Sequence, residues 1–205
     1  VPKAGRARFA LVRPAFPLYA QARQQIPWED DMATSLYDMT VSSYLQTLGG
    51  VAHVLQRGFD HFTDTNTDPN EVVEVRLHND MLPMRFQIWS VAHHSAGAIA
   101  GLKAGVFHPP SSLPELDYAG LQKVVADAAE SLGKETPDEI NALSGKDMAF
   151  QFGDFKVPFT AETFVMSFSL PNFYFHATTA YDILRIKGVP LGKRDFMGKM
   201  RTKAA

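Results

Sequence analysis

The chain reads as an all-α protein: an antiparallel four-helix bundle from about Ser35 to Phe196, with a small β-hairpin before the last helix. Three observations predict it. Apolar residues recur in alternating steps of four and three, which puts them on one face of a helix packed against neighbours. The breaks between these stretches carry cap and stop residues in the right order. Met148 to Phe159 alternates with period two instead, the pattern of a strand pair.

Taken in order, Ser35 can cap the first helix, with Asp38 favouring its first turn electrostatically. The apolar row is Val41, Leu45, Leu48, Ala52, Leu55, Phe59 and Phe62. Gly49 and Gly50 each weaken the middle by about 1 kcal/mol relative to Ala, and make room for a close neighbour. The polar run Thr63 to Pro69 stops the helix. Asn70 to His78 is expected to be a short helical segment. Pro83 suits the first turn of a second helix reaching about Ala104, with the row Ile88, Ala92, Ser95, Ile99, Leu102 and Val106. Gly105 and His108-Pro-Pro110 end it. A third helix spans roughly Asp117 to Leu132, and Thr136-Pro-Asp-Glu139 opens a further turn. Gly153-Asp154 is the expected hairpin turn. The fourth helix starts at Thr160 and runs to Lys187, closed by Gly188 and Pro190. Pro171 inside it should kink or break it and deprive a carbonyl near Ser167 of its partner. Lys193-Arg194-Asp195 with Phe196 is expected to form a C-terminal clasp.

Composition narrows the function classes. Hydrophobic residues make up 45% and charged residues 20%, enough apolar material for a core without staples. A net charge of −2 offers no electrostatic footprint for nucleic acid or an anionic membrane. With no cysteine, disulfides, thiolate zinc sites and cysteine nucleophiles are excluded. That fits a reducing compartment, and cytoplasmic placement is expected. No apolar run is long enough to span a bilayer. No Gly-x-Ser-x-Gly elbow, Walker loop or dinucleotide fingerprint is present. Residues 1–32 combine scattered Arg, prolines and weak periodicity, and are expected to lie outside the fold. They read either as a start-site artefact with Met32 as the natural beginning, or as a transit-like segment. The domain is expected to cover 33–198, with a tail at 199–205.

Chemistry centres on the histidines: His53, His61, His78, His93, His94, His108 and His176. Four of them, His53, His61, His78 and His108, read as surface or loop residues. Asn172 and His176 are four residues apart, hence on one helix face, just after Pro171. His93 and His94 lie mid-helix near Trp89, Val91 and Ile99; neighbours on a helix point about 100° apart, so one of them reaches a given site. A bundle core that joins these positions would offer imidazole ligands to a divalent metal (zinc, nickel or iron), with an open position for water. The plainer alternative is a set of core histidines bonded to the protein, with Asn172 bonding the backbone opened by Pro171. Tyr181, on a neighbouring face, is either a proton donor or a structural hydrogen bonder.

Ser35-Leu-Tyr-Asp38, Asp80-Met-Leu-Pro83 with Phe86-Gln87, Leu170-Pro-Asn-Phe-Tyr-Phe-His-Ala-Thr-Thr-Ala-Tyr-Asp-Ile-Leu-Arg185 and Gly188-Val-Pro-Leu-Gly-Lys-Arg-Asp-Phe196 resemble the DUF1993 family. The resemblance covers Ser35 to about Gly198. That family is grouped with DinB-like and YfiT-like metalloenzymes, which implies a four-helix bundle, often a homodimer. In the wider superfamily a second-helix His and a His-x-x-x-His pair on the last helix hold a divalent metal. Here His176 matches the second histidine of the pair, and Asn172 stands at the first. His93 is the counterpart of the second-helix ligand, with His94 as its rival. The superfamily includes hydrolases and thiol-dependent transferases. Three functions are therefore in play: a small-molecule metalloenzyme, a metal-free bundle whose Asn172, His176 and Tyr181 orient a small-molecule ligand, and a dimeric interaction protein.

Overall fold

The computed structural model describes residues 34–110 and 112–203; the expectations for residues 1–32 fall outside them. The chain is mostly helical, with a small three-stranded sheet. Ser35 Oγ accepts the Asp38 N–H at 3.0 Å and donates to the Asp38 carboxylate at 2.7 Å, a reciprocal cap. A π turn, Asp38–Ser42, leads into α1, Ser43–Asp64. The buried stripe is Val41, Tyr44, Leu48, Val51, Leu55 and Phe62. It is rotated from the apolar row read in the sequence, because Tyr44 can be buried: its hydroxyl lies 2.8 Å from Ser169 Oγ.

No helix runs from Asn70 to His78. A 3₁₀ turn, Pro69–Val72, is capped by Asp68, and the chain then stays irregular. The carbonyls of Val75 and Val73 accept from the N–H groups of Met84 and Arg85 at 2.9 and 3.1 Å, satisfying donors that the start of α2 leaves open. The expected long second helix is two helices, α2 (Met84–His93) and α3 (Ala96–Ala104). The break falls at His94-Ser95. Ser95 Oγ donates back to the Val91 carbonyl at 2.7 Å, and the His94 carbonyl accepts from Ser169 Oγ at 2.7 Å. Side-chain bonds of this kind compete with the helical ladder.

The ribbon expected before the last helix has a third strand. Strand β1, Val106–Phe107, runs parallel to β2, Asp147–Phe152, and β2 runs antiparallel to β3, Phe155–Thr160. Val106 sits opposite Ala149, and Phe150 opposite Val157. Gly105 makes β1 possible: it turns the chain at φ +71° while its carbonyl accepts the Ala149 N–H at 3.1 Å. A two-residue strand has no period to read.

Asp117 caps α4, Tyr118–Leu132, by accepting the Gly120 N–H at 2.7 Å. Thr136 caps α5, Pro137–Asn141, with a reciprocal Glu139 bond. Thr160 caps α6, Ala161–Phe164, which passes through a second π turn, Val165–Ser169, into α7, Leu170–Ile186. Pro171 thus lies in the first turn of α7, and the ladder is already re-registered before it. A short α8, Lys193–Met197, returns onto α1. The helices α1 and α2 each pack on α4 and α7 around Tyr44, Leu48, Ile88, Leu121, Phe173 and Ile183.

Candidate functional site

The two adjacent histidines leave the end of α2 in different directions. His93 faces the sheet. Its ring lies 4.5 Å from Phe107, and its Nε2 is 2.9 Å from the His108 carbonyl. A carbonyl only accepts, so His93 donates there. Burial lowers its pKa. His108, expected on the surface, fastens its loop to β2 by donating from Nδ1 to the Gln151 carbonyl at 3.0 Å.

His94 turns inward and is 8% exposed. Its ring centroid lies 5.8 Å from that of His176, with planes within 17°. Phe107 and Phe168 flank it at 5.5 and 5.7 Å. Its Nδ1 is buried without a hydrogen-bond partner among the described residues. Burial first, then the imidazoles of His176 and His93, push its pKa down to about 3.

His176 comes from the middle of α7. Its Nδ1 lies 2.8 Å from Gln87 Oε1, and the rings of Phe86 and Phe175 lie 5.7 and 5.3 Å away. Burial pushes its pKa down to about 4. Gln87 is itself buried, and its Nε2 donates to the Leu82 carbonyl at 2.7 Å. Gln87 and His94 are about two helical turns apart, so they share a face of α2 and both reach His176.

Behind the pair runs a buried polar chain. Ser169 Oγ donates its single proton to the His94 carbonyl, so the Tyr44 hydroxyl must donate to Ser169. Burial holds the Tyr44 pKa well above the usual phenol value, and the group stays protonated. This chain ties α1, the second π turn and the break after α2 to one another beside His94. π turns inside helices are frequent at functional sites.

The remaining sequence candidates fall outside this pair. Asn172 Nδ2 donates to the Phe168 carbonyl at 2.7 Å, one turn back along its own helix. Tyr181 packs its ring on Phe196 at 5.8 Å, over an apolar layer with Ile88 and Leu184, whereas the ring neighbours of His176 are Phe86, His94 and Phe175. The structure therefore joins His94 to His176, places His93 5.5 Å from His94 with Nε2 committed elsewhere, and leaves Tyr181 apart. Sequence reasoning missed Gln87 and Ser169 as site residues. A signal existed for Gln87: it is a polar residue on the buried face carrying Met84, Ile88 and Val91.

A catalytic zinc centre takes three protein ligands and keeps one position open. Among the described residues, no group of three His, Asp or Glu side chains is arranged to hold a metal ion. No carboxylate joins the imidazole pair, and the nearby His93 has its Nε2 committed to the His108 carbonyl. The residues present do not fit a three-ligand centre.

Among the described residues, no helix is long and apolar enough to cross a membrane. The fold is similar to that of a DinB family member protein from Shewanella denitrificans, with a TM-score of 0.67 and 24% identity over 83% of this chain and 96% of that chain. No curated protein matches the chain. The family model described as a domain of unknown function, DUF1993, matches residues 36–197, and the chain belongs to that family.

Proposed function

We propose that this DinB-like chain is a four-helix bundle, with the β2–β3 hairpin at one end, that binds a small uncharged molecule at the His94–His176 pair. One observation carries the reading: two neutral imidazoles from distant segments lie 5.8 Å apart inside a wall of phenylalanine rings. Low pKa values keep both rings neutral at pH 7, so they offer hydrogen bonds rather than charge. Phe86, Phe107, Phe168 and Phe175 supply apolar surface for the body of a ligand. A few polar groups in an aromatic wall are the usual make-up of a small-molecule site.

A divalent ion (zinc, nickel or iron) held by the same two rings alone is the second reading, and the ring separation is compatible with it. With nitrogen–zinc bonds of about 2 Å, two imidazoles on one ion have centroids roughly 5–6 Å apart. Such an ion would supply the Lewis-acid chemistry of the hydrolases and transferases that the family resemblance implies.

Thermal unfolding of protein purified without nickel resin separates the two. Phenol, as an apolar ring with one hydroxyl, should raise the melting temperature of the native protein and not of His176→Ala, with or without EDTA. A rise on adding zinc that EDTA and His176→Ala both abolish would move the assignment to the ion. No response to either probe would remove this pair as a binding site.

A further inference from the structure

We infer that Gln87 is a positioning residue that holds His176 in the Nδ1–H tautomer, so that its bare Nε2 receives a neutral ligand through an O–H or N–H donor. The ligand class rests on the binding reading above; the tautomer does not.

The Gln87 amide has one satisfactory orientation. The Leu82 carbonyl can only accept, so the amide atom 2.7 Å from it is the N–H donor. The amide oxygen then faces His176 Nδ1 at 2.8 Å, and it too can only accept. His176 must therefore donate from Nδ1. The reverse flip would set the amide oxygen against the Leu82 carbonyl oxygen. Gln87 is 2% exposed, so water cannot stand in for a lost partner. Leu82 lies just before α2 and Gln87 in its second turn, so the start of this helix aligns an imidazole on α7.

The consequence for ligands is chemical. A neutral imidazole has one ring proton, and here it is used at Nδ1. The Nε2 lone pair is then free to accept, and among the described residues no hydrogen bond occupies it. A carboxylate or phosphate would meet that lone pair with its own, beside a second neutral imidazole and with no cation on the pair. A hydroxyl or amide N–H would meet it favourably, with the Phe86 and Phe175 rings against the ligand body.

Long-range proton–nitrogen-15 correlation spectra of the ligand-free protein at pH 7 read the tautomer directly. The expected result is a protonated Nδ1 and a pyridine-type Nε2 for His176. Gln87→Glu should keep Nδ1 protonated, because the carboxyl oxygen facing the ring accepts while the other, protonated, donates to the Leu82 carbonyl; Gln87→Met, of similar shape, should lose it to a tautomer mixture. A protonated Nε2 in the native protein overturns the proposal, as does an unchanged Nδ1–H in Gln87→Met. If Gln87→Met does not fold, the native and Gln87→Glu spectra still decide. Phenol should then shift the Nε2 resonance, and benzoate at the same concentration should not. An equal shift with benzoate overturns the donor class. A silent phenol titration on an intact Nδ1–H protein overturns the ligand class together with the binding reading, and leaves the role of Gln87 standing.

Discussion

His94 and His176 make the fold sensitive to acid. Their pKa values, about 3 and about 4 in the folded chain, lie below the ordinary value of 6.5 that the unfolded chain retains. As pH falls, the unfolded chain takes up protons first, so stability is full above pH 6.5 and declines from there toward pH 4 and then 3. Lowering the pH from 7 to 5 should remove roughly 4 kcal/mol of unfolding free energy through the two groups. Urea unfolding at the two pH values measures it, and His176→Gln should reduce the difference by about half. Ser169 gives a second outcome at this scale. Ser169→Ala strips the His94 carbonyl of its side-chain donor and leaves the buried Tyr44 hydroxyl without its acceptor. A loss of about 1–3 kcal/mol in urea unfolding is expected, the range for buried groups left unpaired.

Secondary-structure elements deliver these side chains through their irregularities. The break between α2 and α3 lies at His94-Ser95, and the π turn Val165–Ser169 places Phe168 and Ser169 beside it. The short strand β1 has a similar task. By pairing with β2 it holds Phe107 between the sheet and both histidines, at 4.5 Å from His93 and 5.5 Å from His94. Phe107 is buried, and Phe107→Ala should cost about 3 kcal/mol or more in unfolding free energy. The same change opens the imidazole pair to water, so the pKa of His94 measured by NMR titration should rise toward its ordinary value. A destabilised variant with an unmoved His94 would mean that the ring is packing alone and does not seal the pair.

At the scale of the whole molecule, the C-terminal segment closes the fold through glycine. A Cβ added at Gly50 would collide with the carbonyl of Phe196, and one added at Gly198, which has φ +62°, with the carbonyl of Gln46. Around that contact Asp195 accepts from the Gly192 N–H at 2.7 Å and lies 3.0 Å from His53 Nε2, while Phe196 covers Tyr181. Gly49, one residue earlier, meets nothing within 4 Å. The two positions should therefore respond with opposite signs. Gly49→Ala should stabilise α1 by up to about 1 kcal/mol through helix propensity. Gly50→Ala should destabilise by about 1–3 kcal/mol, because the backbone of α8 has to move. Chemical denaturation of the pair checks both at once, and equal signs would mean that α8 is not held by this contact.

Local chemistry made much of this legible in advance. The caps at Ser35, Asp117, Thr136 and Thr160 act between residues three apart, so helix starts could be read without knowing the fold. The turn at Gly153-Asp154 and the period-two runs beside it are local for the same reason. His94 and His176 could be named as candidates, because an imidazole on an otherwise apolar helix face stands out in one dimension. Which of the adjacent pair, His93 or His94, would turn to His176 was decided by the His108 carbonyl, fifteen residues away, and by Ser169, seventy-five residues away. The partner of His176, eighty-nine residues distant, and the strand that carries Phe107 were likewise matters of tertiary structure. A hydrogen bond across that separation leaves no period, spacing or cap in the chain; it exists only once packing has brought the two ends together.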